Sequence, residues 1–581
     1  MNIKPFNDLK KNLKRLSSLN KEIRVAVLSD SSSQLTVNAL KGYGAEFNVK
    51  YEIFEADYNQ IDMQVFDAGS ELYRFAPAFV IILRSTSRLM KYFYKMDHDE
   101  RGNFADSQLQ YLEELCATVS QRLDCAVITN NYSEINDSVF GNFGLKVMSS
   151  FAYQLKKLNM KLIDLSVNRK DLFLLDLNSM IARAGHNGSF DPKIYYAADM
   201  VYSIDFLPYL AKNINDIIFA VSGSFVKCVV LDLDNTLWGG VIGDDGTDGI
   251  QIGSLGNGKI FSELQLWLKQ LKARGIILAV CSKNNDDTAR QPFISHPEME
   301  LRLDDIAVFV ANWENKADNI RHIQSVLNIG IDSMVFIDDN PVERALVKKE
   351  IPEIIVPDLP EDPAEYLLFL HSLNLFETAS YTPNDSERTR QYQEEAKRRN
   401  VLKGFANEDA FLASLDMSSE VRAFDPFSVP RVSQLSQRSN QFNLRTIRYT
   451  EEEVKRMTGD PDYCTYSFTL KDKFGDNGLV AFVVLKKTDS ETLFIENWAM
   501  SCRVLKRGME WFTLNCIASD ARLSGVRRIV GEYIPTAKNS LVKEHYPSLG
   551  FGTISENRYC LELADYRLEK IIHIKKTSTP V

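Results

Sequence analysis

The residues best placed to do chemistry in this sequence are two carboxylates that follow an apolar run. Asp232 and Asp234 come directly after residues 228–231, CVVL, which predict a buried strand. Because ligands of a parallel sheet bind just outside the carboxyl ends of its strands, we expect both side chains to lie in a site. Two carboxylates placed there repel each other and are costly to desolvate unless a cation joins them. Mg²⁺, which takes oxygen ligands and substrate phosphates, is the natural candidate.

Three further apolar runs end in polar residues that suit the same site. They supply a hydroxyl, an ammonium and a second acidic pair: Ser282 after 277–281, Lys316 after 309–311, and Asp338 with Asp339 after 334–337. Each one alone has an ordinary interpretation, since a lone Ser or Lys in a loop is usually solvated. An acidic pair before Asn340 and Pro341 is also typical of a turn and helix cap. The four motifs in this order, each closing an apolar run, together indicate a phosphate site.

These four positions resemble the four motifs of the haloacid dehalogenase (HAD) phosphatase superfamily. The longer segment 232–246, DLDNTLWGGVIGDDG, resembles its FkbH-like subfamily, whose enzymes prepare glyceryl-type units on acyl carrier proteins. The resemblance covers residues from about 222 to 360 closely. The interval between Asp232 and Ser282 holds a glycine-rich segment and one helix, which leaves no room for a separate cap domain. An uncapped site fits a macromolecular substrate such as a carrier-bound group, or a lid supplied by a neighbouring domain.

The resemblance implies a catalytic or metal-binding role for each of these residues. Asp232 would attack phosphorus to form an aspartyl-phosphate, and Asp234 would act as acid and then base. Ser282 and Lys316 would stabilise the transferring phosphoryl group. The implied Mg²⁺ ligands are Asp232, Asp234 through its backbone carbonyl, Asp338 and Asp339.

The substrate that the resemblance implies is a phosphorylated small acid or acyl phosphate of glyceryl type. Its hydrolysis or transfer would be coupled to acyl transfer to a carrier protein or a CoA-like thiol. One alternative is a HAD phosphatase with an acyltransferase in surface polysaccharide or secondary-metabolite biosynthesis. Another is a non-catalytic scaffold that binds phosphorylated carriers.

The N-terminal segment contains a second candidate site. Residues 28–34, LSDSSSQ, resemble the Gly-Asp-Ser opening of SGNH hydrolases, with Ser31 in the nucleophile position. Asn130, after another apolar run, would supply an oxyanion-hole amide. The segment has only His98 and His186 as candidate bases, and no Asp-x-x-His stands near its end. We therefore favour a binding cleft for an acyl or carrier group over hydrolysis.

The C-terminal segment resembles the GNAT acyltransferase fold. Its loop 502–510, CRVLKRGME, lies between a predicted strand and a predicted helix, where that family wraps the pyrophosphate of acyl-CoA. The resemblance implies a site for CoA, or for the phosphopantetheine of a carrier protein, that consists of Arg503, Lys506, Arg507 and Gly508. A basic surface turn is the alternative interpretation. The run 438–443, RSNQFN, also resembles FkbH-like proteins, without an assignable chemistry.

Alternating apolar and amphipathic stretches predict the elements that position these residues. In the first segment we expect strands at 25–28, 79–83, 126–129 and 162–165, and a helix over 106–123. In the second we expect strands at 228–231, 276–280, 306–310 and 334–337, and helices over 260–273 and 316–327. In the last we expect strands at 479–486, 493–498 and 528–532, and a helix over 508–519. The charged stretch 384–403 predicts a solvated connecting helix.

The predicted fold class is therefore α/β and multidomain. We expect an SGNH hydrolase-like three-layer α/β domain over 1–221, a HAD Rossmann-like parallel-sheet domain without a large cap over 222–362, a charged helical linker over 363–420, and a GNAT-like α+β acyltransferase domain over 421–581. The length of 581 residues is compatible with three or four domains.

Composition and charge exclude several classes of protein. The net charge of -10 argues against a nucleic-acid partner, because binding the phosphate backbone requires excess cations. None of the eight cysteines forms a Cys-x-x-Cys pair, which favours free thiols in a reducing compartment over a zinc site. No apolar stretch approaches the ~20 residues that span a bilayer. We therefore expect a cytoplasmic protein without a membrane partner.

Overall fold

The computed structural model describes residues 3–19, 21–402, 405, 407–536, 538–569 and 571–577. The chain divides into two compact units, Asn2–Phe219 and Ala220–Val581. The first contains one sheet and the second contains two. No helix in the described part of the chain is both long and apolar enough to cross a membrane.

The first unit is built on a five-stranded parallel sheet of order β2-β1-β3-β4-β5. Its strands are β1 (Lys21–Ser29), β2 (Val49–Glu55), β3 (Phe79–Leu83), β4 (Ala126–Asn130) and β5 (Leu172–Leu175). Its helices are α1 (Phe6–Asn12), α2 (Gln34–Glu46), α3 (Ile61–Phe66), α4 (Glu71–Phe75), α5 (Thr86–Lys95), α6 (Phe104–Arg122), α7 (Phe151–Asn168), α8 (Leu177–Ala184), α9 (His186–Ser189), α10 (Pro192–Ala198) and α11 (Leu207–Val221).

Most of the predicted elements of this unit are present, and one is wrong. The apolar run 162–165 was expected to be a strand, but it lies inside α7. Only every third or fourth side chain of this helix enters the core, as with Leu155, Leu158 and Leu162. A short apolar run has the same composition in a strand and in a buried helix, so its length alone did not distinguish them.

The first sheet of the second unit is a four-stranded parallel sheet of order β8-β7-β6-β9. Its strands are β6 (Cys228–Leu231), β7 (Ile277–Ser282), β8 (Ile306–Ala311) and β9 (Met334–Ile337). The helices of this part are α12 (Ile242–Gly249), α13 (Gly256–Ala273), α14 (Asp286–Ser295), α15 (Lys316–Leu327), α16 (Pro341–Glu350), α17 (Tyr366–Ser372) and α18 (Arg388–Leu402).

This sheet is buried on both faces, which explains its continuous apolar strands. Val229 and Leu231 enter one core cluster, whereas Cys228 and Val230 enter another on the opposite face. A parallel sheet covered on both faces requires apolar residues at every position of its strands. Only α12 and α13 are inserted between β6 and β7, in agreement with the expectation that the site has no large cap.

The second sheet of this unit has eight strands in the order β15-β16-β14-β13-β12-β11-β10-β17. The strands are β10 (Met417–Arg422), β11 (Tyr463–Asp472), β12 (Gly475–Lys487), β13 (Thr492–Met500), β14 (Arg528–Glu532), β15 (Gly552–Ser555), β16 (Arg558–Glu562) and β17 (Ile574–Thr577). The helices are α19 (Glu408–Ser414), α20 (Val429–Arg438), α21 (Glu451–Met457), α22 (Met509–Leu523) and α23 (His545–Ser548). The sheet is mixed, because β10/β17 and β13/β14 pair in parallel and the other pairs are antiparallel.

The connecting helix α18 is buried, contrary to the prediction of a solvated helix. It packs against β7, β8 and α15 on one side and β12 on the other. Arg398 is 1% exposed, and Gln393 donates to the carbonyl of Ile306 in β8 at 3.0 Å. Charged side chains can be buried when they are paired, and the partners here come from distant parts of the chain. Lys403, at the end of the predicted linker helix, lies outside the described residues.

The run that resembles FkbH-like proteins has a structural role in this unit. Strands β13 and β14 pair only over 492–494 and 528–530 and then diverge. The segment 442–444 fills the gap, since Leu444 donates to the carbonyl of Trp498 at 3.1 Å and accepts from the amide of Ile534 at 2.9 Å. Asn440 donates to the carbonyl of Gly223 at 2.8 Å, just before β6. The run therefore joins the two sheets of the second unit.

Candidate active site

The four sequence motifs meet at the carboxyl edge of the four-stranded sheet. Asp232 follows β6, Ser282 ends β7, Lys316 is the first residue of α15 after β8, and Asp338 follows β9. Because all four strands are parallel, their carboxyl ends share one edge, and the side chains converge there. The backbone amide of Asp232 donates to the carbonyl of Ile337 at 3.0 Å, which continues the pairing of β6 and β9 into the site.

Lys316 lies between two of the carboxylates. Its Nζ is 2.9 Å from Oδ2 of Asp232 and 2.6 Å from Oδ2 of Asp338, and the side chain is 3% exposed. The local sequence fixes this position, because the side chain of Asn315 caps α15 by accepting from the amide of Ala317 at 2.8 Å. The lysine is thus held by the start of its helix and by two ion pairs.

Asp232, Asp338 and Asp339 form a group that fits a divalent cation. Their carboxylate oxygens lie within 4.8 Å of one another. Oδ1 of Asp232 is buried and has no hydrogen-bond partner among the described residues. An all-oxygen set with one buried, unused oxygen has the chemistry that Mg²⁺ requires. The residues therefore fit the metal that the sequence predicts.

Burial raises the pKa of each of these three carboxyl groups. For Asp232 the neighbouring Asp338 raises the pKa further, and for Asp339 the neighbouring Asp232 does so, while Lys316 acts in the opposite direction. Burial lowers the pKa of Lys316, but its two carboxylate partners outweigh this effect and raise it above its ordinary value. Three acids facing one lysine leave negative charge to be neutralised, which is the condition for binding a cation.

The loop after β9 orients the acidic pair with groups that the sequence reasoning missed. Thr236 donates to Oδ1 of Asp339 at 3.3 Å, and its hydroxyl accepts from the Asp339 amide at 3.1 Å. Arg344 donates to the carbonyls of Asp338 and Asp339 at 2.8 and 2.6 Å. Asn340 caps α16, so the segment both caps a helix and presents carboxylates. The sequence contained one indication of this role, because Arg344 lies in the first turn of the helix that follows the acidic pair.

The carboxylate of Asp234 points to a different set of partners. Its Oδ1 accepts from Nε1 of Trp238 at 3.0 Å and from the amide of Ile242 at 2.9 Å. Its Oδ2 accepts from the side-chain amide of Asn284 at 2.8 Å. The side chain is outside the group of three metal-binding carboxylates, so its implied metal role through the backbone carbonyl stays a prediction. Trp238 and Asn284, which position this side chain, were not expected from the sequence.

The residues of the second candidate site lie at the carboxyl edge of the first unit's sheet. Ser31 is buried, and its Oγ is 3.4 Å from Oγ of Ser29. Asn130 is 1% exposed and donates to the carbonyl of Arg84 at 2.9 Å. No hydrogen bond in the described part of this unit joins Ser31 to a histidine. The preference for binding over hydrolysis in this unit stays a prediction.

The basic loop before α22 is not an open anion site, which corrects the expectation for Arg503 and Arg507. Arg507 is 6% exposed, lies 3.2 Å from Asp472 and is ion-paired with Glu395 of α18. Arg503 is also buried and bonds to side chains of the protein, Ser501 and Gln391. The guanidinium groups are thus used inside the fold.

The other two residues of that loop have separate positions. Lys506 is exposed and adopts a left-handed backbone with φ of 60°. Gly508 precedes α22 with φ of 77°, and a Cβ at this position would lie 2.6 Å from Nε2 of His573. This glycine is therefore required by the backbone and by close packing. A site for CoA or phosphopantetheine at these four residues is therefore not supported by the buried positions of Arg503 and Arg507.

Comparison with known proteins identifies a family model and a solved structure that match this chain. Residues 24–219 match the family described as FkbH, N-terminal domain. The crystal structure of the N-terminal part of BF1531 from Bacteroides fragilis, which contains a phosphatase domain complexed with Mg, is 48% identical. The match covers 65% of this chain and 100% of that fragment, with a TM-score of 0.63. The chain belongs to the family of BF1531. Its first unit contains an FkbH N-terminal domain, and the four-stranded sheet carries a HAD-type phosphatase domain.

Other comparisons contribute less. The ribosomal-protein-S18-alanine N-acetyltransferase of Escherichia coli is 16% identical, and Ard1 of Thermoplasma volcanium is 17% identical. They cover 25% and 24% of this chain and 94% of their own chains, with TM-scores of 0.20 that decide nothing about the C-terminal domain. No curated protein matches this member of the BF1531 family. The GNAT-like and SGNH-like assignments therefore remain predictions.

Proposed function

We propose that this protein is a Mg²⁺-dependent phosphatase that acts through an aspartyl-phosphate on Asp232. The observation that carries the proposal is the position of Lys316, which is in contact with Asp232 and Asp338 beside an unused buried oxygen of Asp232. A third carboxylate, that of Asp339, lies beside this ion pair and adds negative charge that one lysine does not neutralise. The Mg-complexed phosphatase domain of BF1531 supports the same chemistry.

The residues perform the reaction in two displacements. An oxygen of Asp232 forms a bond to phosphorus as the bond to the leaving oxygen breaks, and Asp234 gives that oxygen a proton. A water molecule then attacks the same phosphorus, gives its proton to Asp234 and releases orthophosphate and the free carboxylate of Asp232. Lys316 and Ser282 stabilise the charge on the phosphoryl oxygens.

The metal and the positioning groups complete this site. Mg²⁺ would be held by Asp232, Asp338 and Asp339, and when bound it supplies positive charge next to the transferring group. Trp238 and Asn284 hold the carboxyl group of Asp234 in one orientation through their hydrogen bonds. The acid is thereby kept in place between β6 and β7 without a metal contact of its side chain.

The substrate in this proposal is a phosphorylated small acid or an acyl phosphate of glyceryl type. The absence of a large insertion between β6 and β7 supports access for a group carried on a partner such as an acyl carrier protein. The proposal also includes coupled acyl transfer to a carrier or CoA-like thiol. Only the family resemblance of the sequence supports this step. Arg503 and Arg507 are buried, so they do not support the anion site that the sequence predicted for this acyl transfer.

The experiment that tests the proposal compares Asp232→Asn with Asp248→Asn. Asp248 is an exposed residue of α12 and serves as a matched control. Release of phosphate from acetyl phosphate and p-nitrophenyl phosphate is measured with Mg²⁺ present. We expect loss of about 10³-fold or more in kcat for Asp232→Asn, because the nucleophile is removed, and no change for the control. Equal turnover in the two variants would overturn the role of Asp232 as nucleophile, and no turnover in the wild type would favour the non-catalytic scaffold.

A second experiment separates phosphatase from acyl transfer. Binding of CoA and of a phosphopantetheinyl carrier protein to the full chain is measured by calorimetry. Binding of either one supports the coupled reaction, and binding that survives Arg507→Gln agrees with the buried position of this side chain. If neither binds, the protein is a phosphatase without the acyl-transfer step.

A further inference from the structure

The first unit contains a cleft that the phosphatase site does not use. It has a volume of about 470 Å³ and lies at the carboxyl ends of β1 and β3, between α3, α5 and α6. In the sheet order β2-β1-β3-β4, the chain continues from β1 to β2 on one side and from β3 to β4 on the other side. Ligands of open parallel sheets bind at such a switch point. The volume is in the range of sites for small organic molecules.

Asp30, directly after β1, lines this cleft and has an unused acceptor. Its Oδ2 accepts from the amide of Ser85 at 2.8 Å and from the Ser85 hydroxyl at 3.3 Å. Its Oδ1 is buried and has no partner among the described residues. The residue is 8% exposed and lines the cleft. A buried carboxylate oxygen without a donor costs free energy unless a ligand or water satisfies it.

Two arginines on the other walls have hydrogen-bonding capacity left. Arg84 lies over the ring of Tyr111 at 4.8 Å and donates to Gln108 at 2.9 Å, and it has no ion pair with a carboxylate in the described part of the chain. Arg88 is ion-paired with Asp199, but its buried Nε has no described partner. Guanidinium groups with unused N–H donors can bind a carboxylate or a phosphate.

We propose that this cleft binds a hydroxylated organic anion, namely a sugar acid or a sugar phosphate. The guanidinium groups of Arg84 and Arg88 bind its anionic group, and the unused oxygen of Asp30 accepts from a hydroxyl. Tyr92 and Tyr111 also line the cleft and add aromatic surface to its walls. A simple anion would satisfy the arginines but would leave the Asp30 oxygen without a donor.

The proposal is independent of the phosphatase and of the serine predicted to be a nucleophile. Every residue it uses lies in the first unit, whereas Asp232 lies in the second. Ser31 is directed to Ser29 and is not one of the lining residues. Loss of phosphatase activity by Asp232→Asn therefore leaves this binding unaffected, and failure of one proposal does not overturn the other.

The test is calorimetric titration of the full chain with four probes in the presence of EDTA, which keeps the phosphatase inactive. The probes are glucuronate, glucose 6-phosphate, glucose and inorganic phosphate, each up to about 10 mM, which detects Kd values in the millimolar range. We expect glucuronate or glucose 6-phosphate to bind at least about tenfold more tightly than glucose and inorganic phosphate. The stronger of the two identifies the anionic group as carboxylate or phosphate.

Two variants and a control locate the binding. Arg84→Gln and Asp30→Asn should each weaken it about tenfold, which corresponds to about 1.4 kcal/mol. Arg74→Gln, an exposed arginine of α4, should leave it unchanged. If Arg84→Gln does not fold, the isosteric Asp30→Asn decides. The proposal is overturned if neither sugar anion binds, if glucose or inorganic phosphate binds equally well, or if both cleft variants retain the wild-type affinity.

Discussion

Two clusters of buried charged side chains in the second unit differ in how their charges are matched. The first is the active-site cluster, which consists of Asp232, Asp338, Asp339 and Lys316. The second joins α18 to the C-terminal sheet and is called the α18 network: Glu395, Arg398, Asp472 and Arg507. In the active-site cluster one lysine contacts two of the three carboxylates, and an oxygen of Asp232 has no described partner. In the α18 network each carboxylate contacts an arginine.

The contrast shows what distinguishes a binding site from a structural ion pair. Arg398 forms a two-point contact with Asp472 at 2.7 and 2.9 Å, which uses both oxygens of that carboxylate. Such an arrangement offsets the cost of burying the charges and needs no further ligand. The active-site cluster is incomplete without a cation, so its burial is unfavourable until one binds.

The largest effect is expected on the stability of the α18 network. Arg398→Met should lower the free energy of unfolding by about 3–5 kcal/mol, because Asp472 and Glu395 are left buried with fewer partners. Urea unfolding followed by tryptophan fluorescence measures this change. Arg390→Met, whose side chain on the same helix is 63% exposed, should change stability by less than about 0.5 kcal/mol. Equal stability in the two variants would show that the network does not hold α18 in place.

The next effect is on turnover in the active-site cluster. Lys316→Met should lower kcat by about 10²–10³-fold, because a charge that stabilises the phosphoryl oxygens is removed. Phosphate release from acetyl phosphate measures it. Lys272→Met is the matched control, since Lys272 is ion-paired with Asp305 at 2.8 Å in the same part of the chain. Wild-type turnover in Lys316→Met would mean that this lysine is structural, like the arginines of the α18 network.

The active-site cluster was predictable because each of its residues comes after a strand that the sequence itself predicts. Asp232, Lys316 and Asp338 each come after an apolar strand, and parallel strands bring their ends to one edge. The groups that orient them were not predictable to the same degree. Asn284 reaches Asp234 across two loops, and such a contact depends on side-chain direction rather than on spacing.

The α18 network was not predictable for a related reason. The sequence shows Arg507 in a basic loop and Glu395 in a charged helix, and each pattern alone is typical of solvent exposure. Their contact joins residues far apart in the chain, so spacing gives no indication of it. Strand β2 was missed because its residues Lys50, Glu52 and Glu55 interrupt the apolar pattern at the edge of the sheet.

Asp30 extends the comparison to the first unit, since it also has a buried oxygen without a described partner. Burial raises its pKa from 3.8 to about 6. A protonated Asp30 therefore favours the folded state below pH 3.8, and this contribution is lost as the pH rises to about 6. The difference in pKa corresponds to about 3 kcal/mol.

The variant Asp30→Asn removes this titration and tests it. Relative to the wild type, its free energy of unfolding should rise by about 3 kcal/mol between pH 4 and pH 7. Urea unfolding at a series of pH values, without sugar or metal, measures the difference. Asp67→Asn, at an exposed residue of the same unit, is the matched control. A difference for Asp30→Asn that does not change with pH would indicate that the carboxylate is already satisfied.

The smallest effect concerns the response of the two clusters to Mg²⁺. At a concentration of about 100 times its Kd, a ligand bound only to the folded state stabilises it by about 2.7 kcal/mol. Thermal unfolding with and without Mg²⁺ should show this gain in the wild type and in Arg398→Met, because the change at α18 leaves the active-site carboxylates intact. The gain should be lost in Asp339→Asn and kept in Asp248→Asn. A gain that survives Asp339→Asn would place the ion outside the active-site cluster and overturn the assignment of the two clusters.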